Sequence, residues 1–330
     1  MCRSHSTMVR LCFLMALLFP MVASAQGTVP RLCFLTFDPG TAQSPSPRFD
    51  AFFHGLRDLG YVHGKTIAID YLPADGRSER FPALAAECVR LRANVIAAST
   101  TPAALAAKSR TSTIPIVMLG LGDPVGTGIV DSLARPGGNV TGMSSVTTEL
   151  AVKRLQLLKQ AVPKISRVLV LAYLVDPIAP LQVKALKEAA SSLGVTLHIR
   201  DVRTADDFSA AFDAGTHEGA EGLLTTSASI FHVHRARVTE LAGRHGLPAI
   251  YPFAVYAVDS GGLMAYEIIE SDLHRRAAIY VDRILKGAKP SDLAVQQPTK
   301  FKLVINLKTA KALGLTISSS VLLQADQVIQ

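Results

Sequence analysis

The sequence predicts an α/β protein of two doubly wound parallel-sheet lobes joined by a multi-strand hinge, and three observations carry that prediction. From Arg31 onward, short apolar strand-like runs alternate with helical patterns, as in parallel βαβ units. The runs are nearly continuous in Val, Ile and Leu, as strands covered on both faces require. After Gly142 the alternation starts a second time, so two similar lobes follow one another. A chain of 330 residues, 49% of them hydrophobic, is long enough to bury the cores of two domains.

In the first series the strands are expected at Leu32 to Phe37, Thr66 to Tyr71, Asn94 to Ala98 and Ile114 to Leu119. Helices fall between them, near Arg48 to Leu59, Ser78 to Leu91 and Pro102 to Ser109. The second series opens with a helix near Thr148 to Ala161, whose Ala151, Leu155, Leu158 and Val162 share one face. Its strands are expected at Arg167 to Ala172, Thr196 to Val202, Gly222 to Thr226 and Ala249 to Tyr251. Val183, Leu186, Ala190 and Leu193 are spaced to cover that sheet.

Beyond Gly262 the simple alternation ends. Gly262 to Ile268 reads as strand, Ser271 to Leu285 as helix and Gln296 to Asn306 as extended chain. Together with Val140 to Ser145, these segments are expected to cross between the lobes and form the hinge. The first lobe would then comprise 26–143 with 263–290, and the second 144–262 with 291–330.

The first residues read as a secretory signal: Arg3 and Arg10 precede an apolar run from Leu11 to Val22, which ends in Ala23-Ser24-Ala25. Cleavage after Ala25 would leave Gln26 first, and the run is shorter than the roughly 20 residues of a spanning helix. Cys12 stands near the start of the run rather than after a cleavage box, so no lipid anchor is expected and the mature chain should be periplasmic.

Arg3 and Arg10 account for two units of the formal charge of +8, and the other basic residues are spread along the chain. Nothing resembles the basic stripe with interleaved aromatics of a nucleic-acid surface. Lys153-Arg154 and His234-Arg235-Ala236-Arg237 read as exposed helix faces. Cys33 and Cys88, in an apolar strand and an apolar helix, read as two buried thiols. No Cys or His pair has zinc-ligand spacing completed by another pair, so neither a metal nor a cofactor is expected.

Ligands of open parallel sheets bind beyond the carboxyl ends of the strands, where loops lead into helix N-termini. Thr100-Thr101-Pro102 is such a junction, with Thr101 as cap and Pro102 as the first helical residue. Gly120-Leu121-Gly122-Asp123-Pro124 repeats the arrangement with glycines that allow close approach, and Asp176-Pro177 repeats it in the second lobe. Thr225-Thr226-Ser227-Ala228-Ser229 adds hydroxyls before a helix near Ile230. Each of these residues can serve simply as a cap, but a helix start also offers N–H groups to an anion. The chain has no phosphate-binding lysine loop, no Gly-x-Ser-x-Gly elbow and no His-Glu-x-x-His helix, which points away from an enzyme.

At these residues the sequence resembles the ABC-transporter substrate-binding family that includes tryptophan and aromatic amino-acid binding proteins. The resemblance rests on Thr101-Pro102-Ala103-Ala104, on Gly122 to Gly128, on Leu133 to Gly142 (LARPGGNVTG), on Gly261 to Met264, on Gln297 to Phe301 and on Asn306 to Leu315 (NLKTAKALGL). It implies a type I periplasmic-binding-protein fold, hinged closure on a small molecule, and delivery to an ABC permease with its ATPase by a monomeric protein. Thr101 and Asp123 match the family pattern and Ser145 is a third candidate contact. Thr100, Tyr173 and the Ser227 to Ser229 turn stand where the family often has glycine, a small polar residue and Pro-Asp-Pro.

The expected ligand is an amino acid or related small carboxylate, with its carboxylate at the Thr101 helix start and Asp123 facing a cationic or donor group. Tyr173, Phe231 or Tyr251 would supply aromatic packing, and Ser227 a hydroxyl from the second lobe. A ligand sensor that docks on a receptor is the alternative. A cleft racemase fits less well, because such enzymes oppose one cysteine from each lobe and both mature cysteines here fall in the first.

Overall fold

The computed structural model describes residues 29–330, so the expected signal segment at 1–25 lies outside the described residues. Nine elements build the first lobe: β1 (Arg31–Thr36), α1 (Asp50–Asp58), β2 (Ala68–Pro73), α2 (Phe81–Arg90), β3 (Val95–Ala98), α3 (Thr101–Arg110), β4 (Ile116–Leu121), β5 (Val140–Ser144) and, much later in the chain, a long returning helix. Its five strands lie in the order β2-β1-β3-β4-β5 and are all parallel. The second lobe begins with α4 (Thr147–Ala161), β6 (Arg167–Ala172), α5 (Ala179–Ser192), β7 (Thr196–Asp201), α6 (Asp207–His217) and β8 (Gly222–Thr225). It continues with α7 (Ser229–Val233), α8 (Arg235–Arg244), β9 (Ala249–Tyr251), α9 (Val255–Val258) and β10 (Met264–Ile268). Then α10 (Glu270–Leu285) returns to the first lobe, and β11 (Phe301–Asn306), α11 (Leu307–Ala312), α12 (Ser319–Leu322) and β12 (Gln327–Ile329) finish the second. The seven-stranded order is β12-β11-β10-β9-β8-β6-β7, with β11 antiparallel to β10 and the other neighbours parallel.

The doubly wound lobes thus form as the alternation predicts, and the central strands β1, β3, β6 and β8 are almost wholly buried. Helix α10 completes the first lobe by laying Leu273, Ala277 and Val281 against Phe49, Phe52 and Leu56. Cys33 and Cys88 are buried, unbonded thiols. No helix among the described residues is long and apolar enough to cross a membrane.

The hinge differs from the expected one in two respects. Val140 to Ser144, expected as a crossing, is instead the edge strand β5. Gly142 makes this possible: at φ +130° it lies so close to Met118 that a Cβ would stand 2.4 Å from the Met118 carbonyl oxygen. The lobe boundaries also move. Met264–Ile268 pairs with β9 and β11, so this stretch belongs to the second lobe rather than to the first, and the chain crosses at Ile269. Leu293 packs in the first lobe's core and Val295 N–H donates to Leu133 O at 2.7 Å, so the return crossing follows them. The first and last crossings, which both run from the first lobe to the second, lie side by side in parallel, Ser144 N–H donating to Gln296 O and Gln296 N–H to Gly142 O. Val146, between β5 and α4, holds a left-handed φ of 45°, a strained conformation for a β-branched residue.

Candidate functional site

The carboxyl ends of both sheets face each other and enclose a cavity of about 550 Å³, its open mouth included. The first lobe contributes Arg48, the β3–α3 turn Ser99 to Thr101, and Gly120 to Gly122 after β4. The second contributes Leu150 and Arg154 from α4, Asp176 and Ile178 after β6, Ser227 and Ser229 after β8, and Pro252 and Phe253 after β9. Ser145 and Thr147 line it from the first crossing, Ile268 and Glu270 from the second. The lobes touch closely here: a Cβ built on Gly122 would lie 2.5 Å from Ile178 Cγ1 and 2.7 Å from Thr147 Oγ1.

The electrostatics separate two arginines. Arg48 forms a two-point pair with Glu270, at 2.7 and 3.2 Å, and stands 4.0 Å from Asp38. Burial presses its pKa down, but the Glu270 and Asp38 carboxylates outweigh this and leave it above its ordinary value. Burial likewise pushes Glu270 up, yet Arg48 prevails and holds it at about 2. This pair neutralises itself, and the Arg48 guanidinium also covers the Phe253 ring of the other lobe at 5.1 Å.

Arg154 has no such counter-ion. It is 2% exposed, donates from Nε to Tyr266 O at 2.8 Å and from Nη1 to Ser227 Oγ at 3.1 Å, and forms no ion pair among the described residues. Burial pushes it down to about 9, only partly offset by Glu267, so it remains a cation at neutral pH. A buried cation without a counter-ion is costly, and a ligand anion would relieve that cost. Asp176 is the acidic group of the same cavity that forms no ion pair among the described residues, 7% exposed, with Oδ1 accepting from Ile178 N–H at 3.2 Å. Burial pushes its carboxyl up to about 6. The hydroxyls Ser99 Oγ and Thr147 Oγ1 are buried beside the cavity with no hydrogen-bond partner among the described residues.

The expected site residues divide into three groups. Thr100, Thr101, Ser145 and Ser227 all line the cavity. The helix cap, however, is Thr100 rather than Thr101: Thr100 has extended backbone and its Oγ1 accepts from Ala103 N–H at 3.3 Å, while Thr101 is the first helical residue. Tyr173 lines an adjoining smaller void of about 180 Å³ that shares Thr100, Asp176 and Ser229 with the main cavity.

Asp123, Phe231 and Tyr251 lie elsewhere. The Asp123 carboxylate turns back to accept from Gly126 N–H at 2.8 Å, and its residue borders an outer groove with Thr148 and Lys153. Phe231 is fully buried and stacks on Phe208 at 5.8 Å; Tyr251 is 1% exposed and stacks on Tyr256 at 4.7 Å. Both are core residues, buried in the same apolar cluster.

Arg154 was expected on an exposed face and is instead among the largest fully buried side chains. A signal for it exists: it lies four residues after Leu150 and three before Leu157, on the buried stripe of α4. The Asp176-Pro177 pair marks Asp176 in the sequence, although the expected cap does not form, since α5 starts at Ala179 after Ile178, whereas Arg48 and Phe253 carry no sequence signal.

The protein-family model described as "ABC transporter substrate binding protein" matches residues 44–329. A "Tyrosine-binding protein" of Clostridioides difficile (strain R20291) is 28% identical over 270 residues, covering 80% of this chain and 75% of that protein. An ABC domain from Streptococcus pneumonia in complex with L-Trp is 26% identical over 91% of this chain and 99% of that one, with a TM-score of 0.81. The ligand-free, open structure of a substrate binding protein with adhesive properties from Clostridium difficile is 25% identical over 92% and 100%, with a TM-score of 0.62. Two α/β lobes around a polar cleft, matched along nearly the whole described chain, make this protein a member of the ABC transporter substrate-binding protein family.

Proposed function

We propose that this chain is the exported, periplasmic binding component of an ABC importer, holding an amino acid or related small carboxylate between its lobes and presenting it to the permease and its ATPase. The observation that carries the reading is Arg154, a cation 2% exposed in the interlobe cavity with no counter-ion of its own among the described residues. The ligand's carboxylate binds this guanidinium through charge-assisted hydrogen bonds, with Ser227 beside it and the Thr101 hydroxyl and helix start of the facing lobe as further contacts. Asp176 offers an acceptor to an ammonium or hydroxyl group on the same ligand. The ligands of the two relatives, tyrosine and tryptophan, support this class of solute. Closure on the ligand is supported by the higher TM-score against the tryptophan complex than against the open, ligand-free protein, at nearly equal identity.

The test is a thermal-shift screen of the mature protein with amino acids, aromatic acids and small dicarboxylates, each beside its amide or methyl ester. A carboxylate at 100 times its Kd stabilises by about 2.7 kcal/mol, and the neutral analogue should give much less. Equal shifts from acid and ester, or a response only to neutral sugars, would remove Arg154 from the site and the reading with it.

A further inference from the structure

We propose that Tyr173 sets the length of ligand that the cleft accepts, so that this chain selects a compact carboxylate over one with a bulky aromatic tail. This rests on the carboxylate being held at Arg154.

Arg154 reaches from Tyr266 O in β10 to Ser227 Oγ just after β8, and Tyr173 follows the end of β6, the next strand in the sheet. A ligand anchored at Arg154 therefore extends across the strand ends toward Tyr173. At that end the cavity passes Thr100, Asp176 and Ser229 and continues into the smaller void of about 180 Å³. Its other walls are Phe37, Pro102 and Ser78, all of the first lobe.

Tyr173 is the second lobe's wedge into this space. It is 6% exposed and packs in the same apolar cluster as Phe37, and its backbone is fixed by its N–H on Thr226 Oγ1 at 3.3 Å and its carbonyl on Asp176 N–H at 3.0 Å. Cutting its ring away would enlarge that space against Phe37 and Pro102. With the ring in place, a long tail meets the phenol. The main cavity compensates poorly for this, since Phe253 is its one aromatic wall among the described residues and Arg48 already covers one face of that ring.

The experiment is calorimetric titration of the wild-type protein, Tyr173→Phe and Tyr173→Ala with L-alanine, L-leucine, L-phenylalanine and L-tryptophan. Wild type and Tyr173→Phe should bind the compact pair more tightly than the aromatic pair. In Tyr173→Ala the ratio of affinities should move at least tenfold toward the aromatic pair. A ring that only helped the lobes to close would weaken all four probes alike and leave the ratio where it was. Tyr173→Leu, a smaller truncation, must move the ratio in the same direction and stands in if the alanine variant does not fold. Binding with an unchanged ratio, or a wild type that prefers tryptophan, overturns this inference alone. Absence of binding by all four probes to every variant overturns this inference, while the comparison of acids with their amides or esters decides the carboxylate reading separately.

Discussion

Gly122→Ala should separate closing from folding. The residue has no left-handed φ, so alanine fits its backbone, and shortening the list of unfolded conformations should stabilise the empty protein by about 0.4–1 kcal/mol. The new methyl would nevertheless stand 2.5 Å from Ile178 Cγ1 and 2.9 Å from its Cδ1, across the cleft. Carbon atoms settle at roughly 3.5–4.0 Å, so the lobes must part there by about 1 Å or more. Overpacking of this kind costs about 1–3 kcal/mol, here charged to the closed state alone, because opening removes the contact. Affinity should therefore fall about 5- to 150-fold while the urea midpoint of the empty protein rises.

Calorimetric titration reads the first quantity and urea unfolding the second. Ile178→Ala in the same chain removes the obstructing branch and should restore part of the affinity, a coupling that a double-mutant cycle isolates. Unchanged affinity in Gly122→Ala, or a loss that Ile178→Ala does not relieve, would refute the claim that this contact belongs to the closed state.

Arg154→Met keeps the stem of the side chain and removes the charge; the carboxylate ligand should bind about 10- to 150-fold more weakly, from about 1.5–3 kcal/mol for a charge-assisted hydrogen bond, and equal binding would exclude the role. Thr100→Val should cost about 0.5–2 kcal/mol in urea unfolding through the lost cap, whereas Thr101→Val should leave stability unaltered and weaken binding in the titration; the reverse pattern would reassign the two hydroxyls. His274, 3% exposed, is pushed down to about 4 by burial, so its folded pKa lies below the unfolded value of 6.5. Its stabilising share is therefore complete above pH 6.5 and is lost as pH falls toward 4, at most about 3 kcal/mol, and urea unfolding across that window should show a shallower slope in His274→Gln.

The parts of the fold legible in the sequence were those in which burial alone dictates residue type. β6 and β9 stand where their unbroken apolar runs place them, since a strand covered on both faces tolerates little else. Val140–Ser144 was hidden because Thr141, Gly142 and Ser144 look like loop residues, and they are buried in a strand only because a glycine permits contact with β4. The candidate site was legible to the extent that loop chemistry marks it. Thr100, Thr101, Ser145 and Ser227 follow strands or crossings, and the cavity gathers all four. Asp123 has the same local signature but spends its carboxylate on its own turn, a choice no spacing reveals. Arg154 was obscured by an average: an arginine on a helix is usually exposed, whereas this one lies on the buried stripe of α4 and is fastened to Tyr266 and Ser227 of its own lobe.

The return of α10 to the first lobe bears on the order in which the molecule can assemble. Its Glu270 meets Arg48 across 222 positions of chain, and Leu273, Ala277 and Val281 are the partners that α1 needs for Phe52 and Leu56. A nascent chain synthesised only as far as β5 has all five strands of its first sheet but leaves the β3–β5 part of one sheet face and the side of α1 that meets α10 bare. Native packing of the first lobe waits until the second lobe has been made, and such distant closure slows folding and prolongs exposure of apolar surface. A fragment covering 29–144 should thus be sticky and poorly ordered, however complete its strands, and neither lobe can be cut from the chain as one continuous piece.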